Sequence, residues 1–489
     1  MIYILNIKKN ESNIYELVNV IDQETGEIIE IEEFIKLNGN VFVSNLDVAF
    51  MEIIKLLFKL GYHNDYKATR KKFFSFMYKS GECLQISIVH ENKTTLRIVN
   101  FEKKFLQPFG TFEENKLLLD YAIKNNRLSS SVGNDAFNEF LHIAFKTKGQ
   151  ELNVNACREI FRRDYPILDD DLLLQAKKHT SGYQFAQRGY YNDIYEYDIT
   201  SSYPSQLMND TPKGLPITFE RLEDVPSTYF YVIKFSALDI QLRPNKIDFL
   251  KTNNKTINTF VLTKELFELF KENYSYSILN VKAIKGFKTR HNRFNAFITK
   301  NIVNGKINAN NARIAKYNKA IANSIVGYFG KNTQKELVKI IRKGKRIDFK
   351  RKEIKIDAVY LPIYLYVTGK AKAEFIKTLQ NTAKNGVIYA NTDGFLVNHK
   401  IDLKTLNLGR FESLGAFKEK HFFKSIYIDC INGYSAEDYE GTLYNSISGT
   451  ATPEKLSVEQ YQSKTFQYYC NEICEDGSIR QNILTTENE

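Results

Sequence analysis

The sequence predicts an α+β protein of several domains, and three observations carry that prediction. Strand-like runs and amphipathic helical stretches are mixed along the chain without a regular β-α-β rhythm, which argues against a doubly wound parallel sheet. The chain has 489 residues, enough for two to four domains or subdomains with cores of their own. Hydrophobic residues make up 43% and aromatics 13%, a composition that folds and does not stay disordered.

Residues 1–65 read as short strands followed by an apolar helix, AFMEIIKLLFKLG, ending at Gly61, where glycine tolerates the turn that closes many helices. Residues 66–105 alternate as strands (FFSFMY, LQISIVH, TTLRIV), and residues 112–190 look mainly helical. Two strand-like runs follow, YNDIYEYDI (191–199) and STYFYVIKFSAL (227–238). A helix over 262–275 leads into ILNVKAIKGF, and a long helical stretch covers roughly 293–328. Residues 338–355, VKIIRKGKRIDFKRKEIK, mix apolar and basic residues around Gly344, which suggests a twisted basic hairpin. The plain alternative is an exposed edge hairpin kept soluble by its lysines. The helix GKAKAEFIKTLQNTAKNG then precedes VIYANTDGFLV, where an Asp-Gly pair between apolar runs signals a β-hairpin.

The formal net charge of +11 and pI of about 9.0 favour a polyanionic partner, although a lysine-rich, AT-rich coding background accounts for the same excess. Five scattered cysteines (Cys83, Cys157, Cys430, Cys470, Cys474) show no zinc-ligand spacing and read as reduced thiols of a cytosolic protein. The opening MIYILNIKKNESN has too short an apolar run for a signal peptide, and no run of eighteen apolar residues predicts a membrane span.

Three constellations carry chemistry. In YEYDITSSYP (195–204) a strand-like run ends at Asp198, and Pro204 can open a helix. A carboxylate at a strand end can hold a cation while the turn's amides face an anion. The alternative is Asp198 as a helix cap with Tyr203 in the core. In NNARIAKYNKAIANSIVGYFGK (310–331), a helix would put Lys316, Lys319 and Asn323 on one face and Ile314, Ile321 and Ile325 on the buried side. Ala320, Ala322, Ser324 and Gly327 leave room for a flat ligand, and lysine can neutralise a triphosphate. An ordinary amphipathic surface helix is the alternative. In YANTDGF (389–395), Asp393 supplies a second carboxylate facing Asp198, or is turn chemistry only.

In that order, DxxSxYP, KxxxNSxxG and YxNTDG resemble motifs A, B and C of family B DNA polymerases, most closely the protein-primed branch of bacteriophages and linear plasmids. The resemblance runs from about residue 110 to about 430. It implies a right-hand α+β polymerase (palm, fingers, thumb) behind an N-terminal exonuclease-like α/β domain. The implied divisions are 1–130 exonuclease-like, 131–215 linker and first palm part, 216–290 a first insertion that engages a terminal protein, 291–330 fingers, 331–358 a second, DNA-encircling insertion, 359–412 palm and 413–489 thumb.

The resemblance also assigns roles. Asp198 and Asp393, with the Ile199 backbone, would bind two Mg²⁺ ions, Mn²⁺ being a substitute. Ser201 and Ser202 would lie near the phosphates, and Tyr203 under the sugar, where its ring excludes a 2′-hydroxyl. Lys319 would contact the triphosphate, helped by Lys306 and by Lys316 or Arg313. Asn323, Ser324 and Gly327 would floor the nascent base pair. DNA contacts would come from Arg188 and Gly189 in QRGY, from Tyr389 and Thr392, from Lys424 and Tyr427, and from Lys343, Lys345 and Arg346 of the hairpin. LGRFE (408–412) resembles the approach to the KxY primer-binding element, and LTKEL (262–266) a helix that engages the terminal protein.

Four departures stand out. Val326 replaces the family's motif B tyrosine, and Asn391 its first motif C aspartate. The KxY lysine is missing or shifted to Lys424. At the N-terminus, Asp47 in SNLD and Tyr121 and Asn125 in YAIKN resemble exonuclease motifs, with Asn in place of Asp and no Asp-x-Glu pair in the first strand. That implies a degenerate exonuclease domain. The expected protein is a monomeric, template-directed, protein-primed DNA polymerase of phage or mobile-element origin, without proofreading, acting in the (host) cytoplasm. It would take a DNA template and primer, dNTPs and a terminal protein as partners, and no membrane. A catalytically silent nucleic-acid-binding relative and an untemplated nucleotidyltransferase are the alternatives.

Overall fold

The computed structural model describes residues 2–12, 14–22, 24–34, 39–43, 45–62, 73–79, 83–89, 93–129, 131–145, 153–250, 257–290, 293–331, 334–343, 346–355, 359–382, 386–407, 414–446, 455–463, 467–474 and 479–485. Strands β1 (Ile2–Lys9), β2 (Tyr15–Asp22), β3 (Ile28–Ile29), β4 (Gly39–Val43), β5 (Phe73–Lys79), β6 (Cys83–Val89) and β7 (Lys93–Asn100) form one seven-stranded sheet in the order β3-β2-β1-β4-β7-β6-β5. The pairs β1–β4 and β4–β7 are parallel. Helices α1 (Ile31–Phe34) and α2 (Leu46–Lys59) belong to this unit. Asn45 starts α2 by accepting from the amides of Asp47 and Val48, and Gly61, at φ +80°, ends it as the sequence suggests. The α2 face of Val48, Phe50, Ile53 and Leu57 packs on Tyr3, Val41 and Ile98 of the sheet.

Helices α3 (Phe101–Phe105), α4 (Phe112–Lys124), α5 (Val132–Phe145), α6 (Val154–Asp164) and α7 (Asp171–Lys177) follow. Strands β8 (Gln184–Ala186) and β9 (Gly189–Ile199) then appear at the end of the stretch read as helical. After the short α8 (Ser202–Gln206) come β10 (Thr211–Phe219), β11 (Phe230–Leu238), β12 (Gln241–Leu242), β13 (Asn258–Thr263), α9 (Lys264–Asn273), β14 (Tyr274–Ser275) and β15 (Ile278–Arg290). Four of them make a separate antiparallel sheet, β10-β15-β11-β13. The sequence gives no strand signal for β10, because Pro212 and Pro216 interrupt it. It pairs with β15 through a bulge between Lys213 and Ile217.

The predicted long helix over 293–328 is broken. Helix α10 (Phe294–Ile298) runs into a wide, π-type segment (Thr299–Ile307), and α11 (Ala312–Phe329) starts afresh where Asn311 accepts from the amides of Arg313 and Ile314. Strands β16 (Gln334–Lys343) and β17 (Arg346–Lys355) form the basic hairpin, with Lys343 opposite Arg346; Gly344 and Lys345 lie outside the described residues. The remaining elements are α12 (Leu361–Thr382), β18 (Val387–Asn391), β19 (Gly394–Val397), α13 (Leu403–Leu406), β20 (Phe417–Cys430), β21 (Gly433–Asp438), β22 (Leu443–Ser446), α14 (Val458–Gln462), β23 (Gln467–Ile473) and β24 (Ile479–Thr485).

The second seven-stranded sheet has the order β22-β21-β20-β9-β19-β18-β8. Phe375 and Leu379 of α12 seal one of its faces against Tyr197, Phe395 and Phe417. The boundary drawn from the sequence at residue 412 does not match this sheet. Residues 417–446, assigned to a thumb, continue it, because β20 pairs with β9 along ten register positions. Among the described residues no helix is long and apolar enough to cross a membrane.

Candidate active site

The site grows from two adjacent strand ends. Strands β9 and β19 are antiparallel neighbours, and Asp198 stands opposite Gly394. Asp393 therefore emerges beside Asp198, and the Ile199 amide donates to the Asp393 carbonyl at 2.9 Å. Asn391 pairs with Gly394, so the residues at the hairpin tip are Thr392 and Asp393, one position earlier than the Asp-Gly signal suggests. The Asp393 amide donates to the Asn391 carbonyl at 2.7 Å around Thr392, whose φ is +64°. That sign of φ belongs to the rarer, strained form of the three-residue turn, and a β-branched residue tolerates it poorly. The turn is pinned by the Thr392 amide, which donates to the Tyr183 carbonyl at 2.9 Å.

Burial pushes the Asp393 carboxyl up to about 6, and the neighbouring Asp198 carboxylate adds to the rise; Lys319, its own backbone amide and Lys420 pull the other way. Two carboxylates in mutual repulsion are a donor set that a divalent cation relieves. Asp198, Asp393 and the Ile199 backbone fit such an ion chemically. Among the described residues no cluster of three or more His, Cys, Asp or Glu forms a metal cage. An ion here would take its remaining oxygens from phosphate and water, as Mg²⁺ commonly does.

Beside the carboxylates lies a cavity of about 350 Å³ lined by Ser201, Ser202, Tyr203, Lys319, Asn323 and Asp393 among others. Gly327 also lines it, and a Cβ there would meet nothing within 4 Å, so the helix backbone is open to a ligand. Lys306, on the wide segment, donates from Nζ to Ser201 Oγ at 3.4 Å. Burial lowers its pKa, and the charges of Lys319 and Lys418 add to the fall, while Asp198 opposes it. Three lysines thus repel one another beside the carboxylates, an arrangement suited to a polyphosphate. Tyr203 is pushed up to about 12 by burial, then by Tyr364 and Asp393, so its hydroxyl stays neutral.

The sequence missed Lys418 and Lys420. Lys418 stands opposite Asp198 on β20, and Lys420 pairs with Glu196 at 2.7 Å. Their alternation in FKEK was a readable one-face pattern, but only the pairing with β9 aims it at the site. Tyr364 and Thr368 of α12 also line the cavity without a sequence signal.

Several expected contacts fall elsewhere. Arg313 does not reach the cavity: its guanidinium donates to the Pro108 carbonyl and Asn115 Oδ1, both at 3.2 Å, and faces Glu114, because the start of α11 packs on the N-terminal unit. Lys316 is exposed on α11 and does not line the cavity that Lys319 lines. Tyr389 is buried, and its hydroxyl accepts from the Asn432 amide at 3.2 Å, so it supports the turn from inside. Asn391 donates to Asn432 Oδ1 at 2.5 Å and accepts from Gln184 at 3.1 Å. The Thr392 hydroxyl donates to Asn391 Oδ1 at 3.1 Å. Arg188, largely exposed, pairs with Asp429 at 3.1 Å and donates to the Tyr427 hydroxyl at 3.4 Å, while Gly189 stands opposite Ile428. Lys424 is exposed at a bulge of β20. LGRFE (408–412) lies outside the described residues.

The exonuclease-like residues lie on two helices, α2 and α4. Asp47 sits in the first turn of α2. Asn125 closes α4 and donates to the Tyr121 carbonyl at 2.9 Å, and the Tyr121 hydroxyl accepts from Asn318 of α11 at 2.9 Å. Next to them Arg127, fully buried, donates twice to Glu139 at 3.0 Å and once each to Asn301 and Asn318 at 2.7 Å. Asn318 then donates to the carbonyl of Gly305, the residue before Lys306, at 2.7 Å. Helix α4 and Arg127, within the N-terminal region read as residues 1–130, therefore brace the wide segment that carries Lys306.

The family model described as DNA polymerase type B, organellar and viral, matches residues 123–410, more than half of the chain. No curated protein sequence matches. Among solved structures, the chain is similar to Phi29 DNA polymerase complexed with primer-template DNA and incoming nucleotide substrates, with TM-score 0.81, 16% identity and 99% of each chain covered. It is similar to the post-translocation binary complex of Phi29 DNA polymerase with primer-template DNA at TM-score 0.80, and to its complex with single-stranded DNA at 0.77, again at 16% identity and 99% coverage. At that identity the likeness speaks for the fold, and the family match speaks for the lineage: the chain belongs to the organellar and viral type B DNA polymerases.

Proposed function

We propose that this DNA-directed DNA polymerase extends a primer at the Asp198–Asp393 site with dNTPs held in the adjoining cavity. The observation that carries the proposal is the meeting of two repelling carboxylates with Lys306, Lys319 and Lys418 beside a cavity that includes Tyr203 and Gly327. Asp198, Asp393 and the Ile199 backbone would hold two Mg²⁺ ions, whose chemistry makes the primer hydroxyl more acidic and screens the triphosphate and leaving pyrophosphate. Lys319, Lys306 and Lys418 neutralise the triphosphate. Tyr203 packs under the sugar, and Asn323, Ser324 and Gly327 floor the base pair. DNA follows the site past Arg188, Tyr427 and Lys424 and past the basic hairpin. Arg313 and Tyr389 are left out of these roles because their side chains are engaged elsewhere.

The Phi29 complexes hold primer-template DNA and incoming nucleotides, which supports the same partners for this chain. Priming by a terminal protein, through the sheet of residues 211–290, a monomeric state and a phage or mobile-element origin belong to the same reading. The N-terminal unit acts as a brace and not as an exonuclease, supported by the engagement of Tyr121 with Asn318.

Primer extension with dNTPs and Mg²⁺ tests the main proposal. Wild type should extend a primed template, Asp198→Ala and Asp393→Ala should not, and a lane without template should stay empty. No extension by wild type favours a binding protein, and equal extension without template an untemplated transferase. Mg²⁺-dependent 3′–5′ degradation of single-stranded DNA would overturn the brace reading.

A further inference from the structure

We propose that Tyr364 of α12 is the aromatic wall of the nucleotide cavity and sets its affinity for the incoming nucleoside. The inference rests on the polymerase reading of that cavity. Among the described residues that line it, Tyr364 is the ring besides Tyr203; the rest are small, polar or aliphatic, with Ser201, Ser202, Ser324 and Gly327 prominent. Motif B supplies no ring, since Val326 stands there and is 1% exposed. With Tyr203 packed under the sugar, an aromatic wall for the base must therefore come from another element, and α12 delivers it.

The position along α11 says which part of the ligand the ring meets. Lys319 marks the phosphate end. Gly327 lies eight residues further on, roughly 12 Å along the helix axis, and Gly330 closes the helix beyond it. Tyr364 sits at that far end: an ideal Cβ on Gly330 would lie 2.2 Å from its Cδ2. The ring rests directly on glycine backbone, so Gly330 is required for its seat. From another side Lys177 donates to the Gly330 carbonyl at 2.5 Å with its ammonium 5.7 Å from the ring centre. Tyr364 thus faces the nucleoside end of an extended ligand, where a flat ring gains most by packing.

The test compares Tyr364→Phe, Tyr364→Leu and Gly330→Ala in primer extension, with melting temperatures as a folding check. Tyr364→Phe keeps the ring and should hold the KM for dNTP within about twofold. Tyr364→Leu removes the ring, and Gly330→Ala displaces it without removing it. Each should raise KM about tenfold and leave kcat within about threefold. A KM within about twofold for Tyr364→Leu in a folded protein overturns the proposal, and so does a loss confined to kcat or Tyr364→Phe as defective as Tyr364→Leu. The chain contains no tryptophan, so Tyr364→Trp would carry its sole indole, and a dNTP added to the primer-template complex should quench it saturably. No quenching sinks the proposal even if the leucine variant does not fold. A wild type that extends no primer sinks the polymerase reading instead.

Discussion

At Asp393 the charge that the proposed chemistry needs also weakens the fold. Its carboxyl is raised to about 6, so between the ordinary aspartate value and about 6 the native protein binds more protons than the unfolded chain. Stability of the metal-free protein should therefore be greatest below that window and fall as pH rises through it. Asp393→Asn should raise the metal-free stability at pH 8 by about 1 kcal/mol, after discounting for partial exposure, and abolish extension. Mg²⁺ should raise the melting temperature of wild type and leave that of the variant unmoved. Thermal melts with and without Mg²⁺ at pH 5 and 8 check all three outcomes. Asn391→Asp should retain extension, because the Asn432 amide can turn its donor to a carboxylate; complete loss would show that the charge at 391 disrupts the turn. The three motifs singled out Asp198, Tyr203, Lys319, Gly327 and Asp393, and the fold gathers these five around one cavity although they are up to 195 positions apart. Arg313 and Tyr389 were misread because their partners, Asn115 and Asn432, lie far away in sequence, and no local pattern encodes them.

At the scale of elements, the wide segment Thr299–Ile307 is the joint between the N-terminal unit and the cavity. A Cβ at Gly305 would lie 2.8 Å from Asn318 Cγ, so Gly305→Ala should shift the segment and misplace Lys306. Raised KM for dNTP with a modest change in stability is the expected result, measured by steady-state extension and thermal melts. Arg127→Lys removes the fork that meets Glu139, Asn301 and Asn318 together and should destabilise by about 2–4 kcal/mol in denaturant titration. Strands with alternating or continuous apolar runs, such as β6 and β11, were readable. The break before α11 was not, since helical periodicity runs through it and only the Asn311 cap marks the restart.

For the whole molecule, the basic excess of +11 should make DNA binding strongly salt-dependent, with affinity falling about a thousandfold between 50 and 200 mM salt if about six phosphates are met. Fluorescence anisotropy on primer-template DNA measures that slope, and a flat response would place the lysines away from DNA. The α+β class was legible from the mixture of periodicities, and the family from three ordered motifs. Sheet membership was not, because strand order is fixed by pairings between residues hundreds of positions apart.

The pairing of β9 with β20 sets a timetable for synthesis. The ribosome makes Asp198 more than 200 residues before the strand that flanks it, Phe417–Cys430, exists. At about 5–20 residues per second that gap is roughly 10–40 s. The first sheet, closed by residue 100, is complete on the nascent chain well before then. During the wait β9 presents an open edge to any other extended chain. A chain stopped at 412 should therefore aggregate and leave β9 open to protease, whereas one stopped at 450 should protect it; equal protection of the two would mean the edge is covered earlier by another part of the nascent protein.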